Sequence, residues 1–155
     1  MKIAEFDKID KIILSELQKN AQRPVAELAS KAGLSPSACH RRVKLLEEAG
    51  AITSYTANLD RAKLGFANEF FVEVSLQSQT EEAFERFEKA VQRLPEILEC
   101  HLMSGQFDYL LRVAATDAAD YERIHRSRIS RLPGVQRIQS ALALRTVKAW
   151  VGYPI

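Results

Sequence analysis

Two cysteines, six glycines and a single tryptophan are all that this 155-residue chain has of those residue types. Cys39 and Cys100 lie far apart in the sequence, offer no disulfide framework, and suit a reducing cytoplasm. No stretch approaches the roughly 20 consecutive apolar residues that crossing a bilayer requires, so no membrane span is expected. No secretory leader is expected either, since Met1-Lys2-Ile3-Ala4-Glu5-Phe6-Asp7 turns acidic before an apolar run develops. Neither a GxGxxG nor a Walker-type phosphate loop occurs. The three histidines, His40, His101 and His125, show no helical metal spacing, and the adjacent Cys100 and His101 would point to opposite faces of a strand. The expectation is therefore a protein without metal or cofactor. A large charge imbalance is lacking too: 22 Lys and Arg face 20 Asp and Glu, and 46% of residues are hydrophobic. That is an ordinary globular composition for one domain or two small ones.

Dividing the charge along the chain is more informative. Residues 1–65 hold 11 basic and 8 acidic residues, whereas residues 66–155 hold 11 and 12. The stretch 28–46 carries Lys31, Arg41, Arg42 and Lys44 and no acid. A charge run of this size is usually a solvated helix face, so the spacing has to decide whether it meets an anionic partner.

The first 50 residues read as three short helices. Asp7 is a suitable N-cap for a segment with Ile9, Ile12, Ile13 and Leu17 at helical spacing, ending before Arg23-Pro24. A second helix begins near Pro24, carries Val25, Leu28 and Ala29 on one face, and ends at Gly33. Ser35-Pro36, an N-cap followed by proline at the first helical position, opens a third that runs to about Glu48. Two helices joined by a short glycine-containing turn form a helix-turn-helix. On the third, Cys39, Val43 and Leu46 face inward, while Ser37, Arg41, Lys44 and Glu48 point nearly opposite, with Ala38 and His40 on the flanks. Small polar residues at the helix start and cations in its middle are what a DNA major groove admits. The candidate DNA-contacting residues are Ser35, Ser37, Ala38, His40, Arg41, Arg42 and Lys44. The competing reading is a three-helix bundle that happens to be basic.

After Gly50, Ile52 to Ala57 reads as a short wing-like strand grading into a linker. From residue 68 onward the element types alternate: a strand over Phe70–Leu76, a helix capped by Thr80, a strand over Ile97–Met103, a strand over Phe107–Ala115, a helix opened by Asp117, and a strand over Val135–Val147. The order β-α-β-β-α-β is that of a ferredoxin-like split unit, one antiparallel sheet with both helices on one face. Nothing remains in the chain to cover the other face, so self-association as a two-fold dimer is expected. The fold class is α+β: a winged-type helix-turn-helix domain over residues 1–58, a linker over 59–66, and a ferredoxin-like domain over 67–155 through which the chain is expected to oligomerise.

This combination resembles the Lrp/AsnC family of feast/famine transcriptional regulators from Phe6 to Lys148. The resemblance is carried by Asp10-Lys11-Ile12-Ile13-Leu14, by Leu34-Ser35-Pro36-Ser37-Ala38-Cys39-His40-Arg41-Arg42-Val43, and by Gly50–Ala57. Glu99–Leu111 and Leu132-Pro133-Gly134-Val135 complete it. It implies double-stranded DNA as a partner and a homodimer that assembles further into tetramers or octamers. It also implies a small effector, usually an amino acid, bound between C-terminal domains. The effector candidates are Met103, Ser104, Gly105, Gln106 and Asp108 of the hairpin loop and Ser140 of the last strand. Asp108 is suited to accept from an ammonium, and Gly105 to let backbone N–H groups approach a carboxylate. The loop is equally a competent hairpin turn. Many family members carry Thr-x-Thr/Ser in the last strand where this chain has Ile138-Gln139-Ser140, which removes one hydroxyl. The alternative is an enzyme, since sirohaem decarboxylases share this architecture and would ask His101 or His125 to handle a tetrapyrrole; the intact basic third helix argues against it. The closing Ala149-Trp150-Val151-Gly152-Tyr153-Pro154-Ile155 is more apolar than a free tail and is expected to pack on the domain or a neighbouring subunit.

Overall fold

The computed structural model describes residues 6–155, which divide into two compact units. The first comprises the chain up to Asn58 together with Lys148–Ile155; the second is Leu59–Val147.

Three helices build the first unit: α1 (Lys8–Lys19), α2 (Val25–Ala32) and α3 (Pro36–Glu48). Asp7 caps α1 through a reciprocal capping box, its side chain accepting from the Asp10 N–H while Asp10 accepts from the Asp7 N–H. Ser35 caps α3 through the Ala38 N–H, and Gly33 closes α2. Ile13, Leu28 and Cys39 are fully buried between the helices, with Ala29, Ala32 and Leu46 beside them. Burial pushes the Cys39 thiol above its ordinary pKa, which makes it a small core residue rather than a reactive group.

The second unit contains β1 (Asn68–Leu76), α4 (Glu81–Val91), β2 (Ile97–Leu102), β3 (Tyr109–Ala115), α5 (Ala118–Ser127) and β4 (Val135–Leu142). Its strands form one antiparallel sheet in the order β2-β3-β1-β4. Alternation decides which side chains meet the helices. Phe70, Val72, Val74 and Leu76 of β1 and Tyr109, Leu111, Val113 and Ala115 of β3 pack with Phe87 and Val91 of α4 and Tyr121 and Ile124 of α5. Both helices therefore lie on one face, as the ferredoxin-like reading expects. Phe70 and Tyr121 stack with centroids 3.6 Å apart.

Three expectations require correction. Ile52–Ala57 forms no strand: residues 53–59 are exposed and, among the described residues, no backbone hydrogen bond pairs them, because no strand of the same chain runs alongside. The last strand stops at Leu142 rather than Val147. Its only neighbour, β1, begins at Asn68, so the final rung is the Ala143 N–H on the Glu69 carbonyl. Finally, the closing residues, assigned to the ferredoxin-like domain, belong with the helix-turn-helix unit: Gln18 of α1 holds Tyr153 through two hydrogen bonds.

Candidate nucleic-acid interface

The four cations of the 28–46 stretch do not have equal freedom. Lys31 lies 3.2 Å from Glu16 of α1, a carboxylate that also holds Arg23 and Lys19. Glu16 is held below the ordinary carboxylate pKa, first by its hydrogen bond from Lys19 and then by that from Lys31. Arg42 reaches back to the α1 capping box, with Nη2 2.8 Å from Asp7 Oδ2 and Nη1 2.9 Å from Asp10 Oδ1. Its guanidinium, expected from the sequence to contact DNA, thus bridges α3 to the start of α1. The helical wheel holds the signal, since Arg42 lies one step from Leu46 on the edge of the buried stripe. Arg41 and Lys44 are exposed and make no ion pair among the described residues. With exposed His40 they form the cationic part of the outer face.

The start of α3 is small and polar. The Ser35 and Ser37 hydroxyls are 3.2 Å apart, and the Ser35 Oγ is already engaged as the cap of the Ala38 N–H. Ser35 is accordingly a structural cap, whereas Ser37 is exposed and Ala38 half-buried. A helix end without bulk, followed one turn later by Arg41 and Lys44, allows close approach to base edges and puts two cations within reach of phosphates.

In the second unit, the loop between β2 and β3 is closed by the Met103 N–H on the Asp108 carbonyl. Met103, Ser104, Gly105 and Gln106 are exposed, Gly105 has φ +146°, and a Cβ there would meet nothing within 4 Å. The N–H groups of Ser104, Gly105, Gln106 and Phe107 find no acceptor among the described residues. Asp108 behaves differently from the expectation. It is buried, its Oδ2 accepts from the Leu76 N–H at 2.7 Å, and its Oδ1 accepts from Gln79 Nε2 at 2.8 Å. Both oxygens thus tie the loop to the end of β1. Ser140 is not brought to the loop either. It pairs with Val72 on the helix side of β4 and receives the Tyr121 hydroxyl proton at 2.5 Å. The open sheet face carries a ladder that residue patterns did not reveal: Arg112 donates to buried Glu69 at 2.6 Å and to Glu99 at 2.5 Å, with Phe71 40% exposed beside it.

Both units match known families. Residues 6–47 match the AsnC-type helix-turn-helix domain and residues 69–150 the Lrp/AsnC ligand binding domain. The chain belongs to the Lrp/AsnC family. It is 42% identical over 144 residues to the leucine-responsive regulatory protein of Escherichia coli K12, covering 93% of this chain and 88% of that protein. It is 49% identical over 117 residues to the HTH-type transcriptional regulator y4sM of Sinorhizobium fredii, covering 76% and 92%. Among solved structures, the transcriptional regulator NMB0573 of Neisseria meningitidis in complex with L-Met superposes with a TM-score of 0.91 at 34% identity, covering 96% of each chain. This Lrp/AsnC protein is thus a helix-turn-helix transcriptional regulator, and nothing in these comparisons favours the tetrapyrrole decarboxylase alternative. No helix among its described residues is long and apolar enough to cross a membrane, and those residues contain no cluster of metal-ligating side chains.

Proposed function

We propose that this regulator is a cytoplasmic homodimer that reads DNA with the outer face of α3 and responds to a free amino acid at the β2–β3 loop. One observation carries the DNA assignment: of the cations around α3, Lys31 and Arg42 are neutralised by α1, and Arg41 and Lys44 are left facing outward. Arg41 is assigned to a guanine edge or its phosphate, Lys44 and His40 to the backbone, and Ser37 and Ala38 to the helix start against the bases. Replacing Arg41 by Ala should weaken operator binding in a shift assay by about 1–3 kcal/mol while leaving Tm unchanged. Unchanged binding removes the assignment.

The dimer reading rests on the sheet face opposite α4 and α5, where Phe71 is 40% exposed beside the Glu69–Arg112–Glu99 ladder. A two-fold partner would cover them, and further assembly into tetramers or octamers would build on the same unit. Amino-acid binding is supported by the unpaired N–H groups of residues 104–107, which suit a carboxylate, and by the L-Met complex of the Neisseria relative. Asp108 and Ser140 hold the scaffold in this reading. A screen of the twenty amino acids should find at least one that raises Tm, as any native-state ligand does, and no shift with any of them would remove the effector assignment.

A further inference from the structure

The closing segment meets α1 through a built contact. The Gln18 Nε2 donates to the Tyr153 carbonyl at 3.1 Å, and its Oε1 accepts the Tyr153 N–H at 2.6 Å. One side-chain amide thereby satisfies both backbone groups of a single residue, as a neighbouring strand does. The residue before it has to be glycine. Gly152 sits at φ +109°, and a Cβ there would lie 2.3 Å from Gln18 Oε1 and 2.6 Å from Gln18 Cδ. Room for it opens only if the amide swings away, which breaks both hydrogen bonds. Edge-to-face packing of Trp150 on Tyr153, with centroids 4.9 Å apart, folds the segment at this point. The cleft beside it, about 1300 Å³, is lined by Gln18, Asn20, Trp150 and Tyr153 and also by Tyr55–Asn58, the stretch by which the chain leaves this unit. Departing and returning segments therefore flank one cleft. Trp150 remains 71% exposed and Tyr153 71% exposed, so specific hydrogen bonds rather than deep burial hold the segment.

We infer that Lys148–Ile155 is a latch with Gln18 as its receptor, and that it sets the half-site spacing the dimer accepts. The chain passes between the units at Asn58 and again at Lys148, so a docked segment attaches the helix-turn-helix unit at two points instead of one. A unit held by a single segment samples many orientations, and binding two half-sites at once must then fix them all; a second attachment fixes them beforehand. The spacing role rests on the DNA-binding dimer reading above, whereas the latch itself does not.

Trp150, the only tryptophan, reports docking directly. Its fluorescence anisotropy decay should show slow motion in the wild-type protein and a fast local component in Gln18→Ala and Gly152→Val, both at exposed or surface-chain sites. Affinity is then measured on labelled duplexes carrying two copies of the footprinted promoter half-site at graded separations. Moving one half-site by half a helical turn, about 5 bp, should cost the wild type about tenfold in affinity and the latch variants less than about threefold, with binding to a single half-site unaltered. Fast Trp150 motion already present in the wild type overturns the latch, whatever the DNA result. Trp150 freed with an unchanged spacing profile overturns its role. If the wild type retains no duplex, the DNA reading and the spacing role fall together, while the anisotropy still decides whether Gln18 holds the segment.

Discussion

The Arg42 guanidinium of α3 stands 2.9 Å from the Asp10 carboxylate of α1 and also pairs with Asp7, so the cap of one helix is clamped by the middle of another. This ion-pair network fixes the relative placement of the helix that presents Arg41 and the helix that supports it. It also separates two neighbouring arginines by their contacts: Arg42 pairs with α1, whereas Arg41 is exposed and makes no ion pair among the described residues.

Arg42→Ala should therefore act on stability. Asp10 is 9% exposed, and without Arg42 it keeps only its bond from the Asp7 N–H. Leaving a nearly buried carboxylate short of its cation costs about 1–3 kcal/mol. Thermal denaturation should show a lowered Tm for Arg42→Ala and an unaltered one for Arg41→Ala; the reverse pattern would exchange the roles assigned to them.

The same network makes the first unit sensitive to acid. Asp7 is held below the ordinary carboxylate pKa, first by the Asp10 N–H and then by Arg42, and Glu16 is shifted the same way. A carboxyl group whose pKa is depressed in the folded state binds fewer protons there than in the unfolded chain. Its stabilisation is present above about pH 4 and is lost as pH falls further. Asp7→Asn retains a capping oxygen and removes the charge. The Tm difference between wild type and Asp7→Asn should be widest near neutrality and close between about pH 5 and pH 2; a constant difference would show that the charge does not contribute.

Asp108 offers a test within the second unit. Asp108→Ala leaves the Leu76 N–H and the Gln79 amide without their acceptor, and should lower urea stability by about 2–3 kcal/mol. Asp108→Asn keeps one oxygen and should lose less. If both variants keep full stability and fail only in their response to amino acids, Asp108 belongs to the effector site after all.

Much of the fold was legible because local chemistry and tertiary structure agree. Asp7, Ser35, Thr80 and Asp117 each cap the helix that follows, and the alternation of Val72, Val74 and Leu76 assigns the buried sheet face. What was not legible depends on partners distant in the sequence. The end of β4 is set by where β1 begins, not by the apolar run that continues to Val147. Ile52–Ala57 has a strand's composition and no strand beside it. At the site, the outward places of Arg41 and Lys44 follow from spacing alone. The roles of Arg42, Asp108 and Ser140 depend on Asp10, Leu76 and Tyr121, which spacing does not identify.

The Glu69–Arg112–Glu99 ladder is open to a paired test. Glu69 is 6% exposed and has Arg112 as its cation. Arg112→Ala should destabilise the second unit by about 3 kcal/mol, because it strands a buried charge. The companion change Glu69→Gln with Arg112→Ala should recover part of that loss in chemical denaturation. Light scattering on the wild type should give at least the mass of a dimer at micromolar concentration, and a stable monomer would remove the sheet face as an interface.

The most direct test is retention of promoter DNA as salt is varied. Wild-type protein should bind a duplex from its own promoter at low ionic strength, with affinity falling steeply as salt rises because phosphate contacts release counterions, and with a shallower slope for Lys44→Ala. Failure to retain any duplex at low ionic strength would contradict the assignment of the outer face of α3 to DNA.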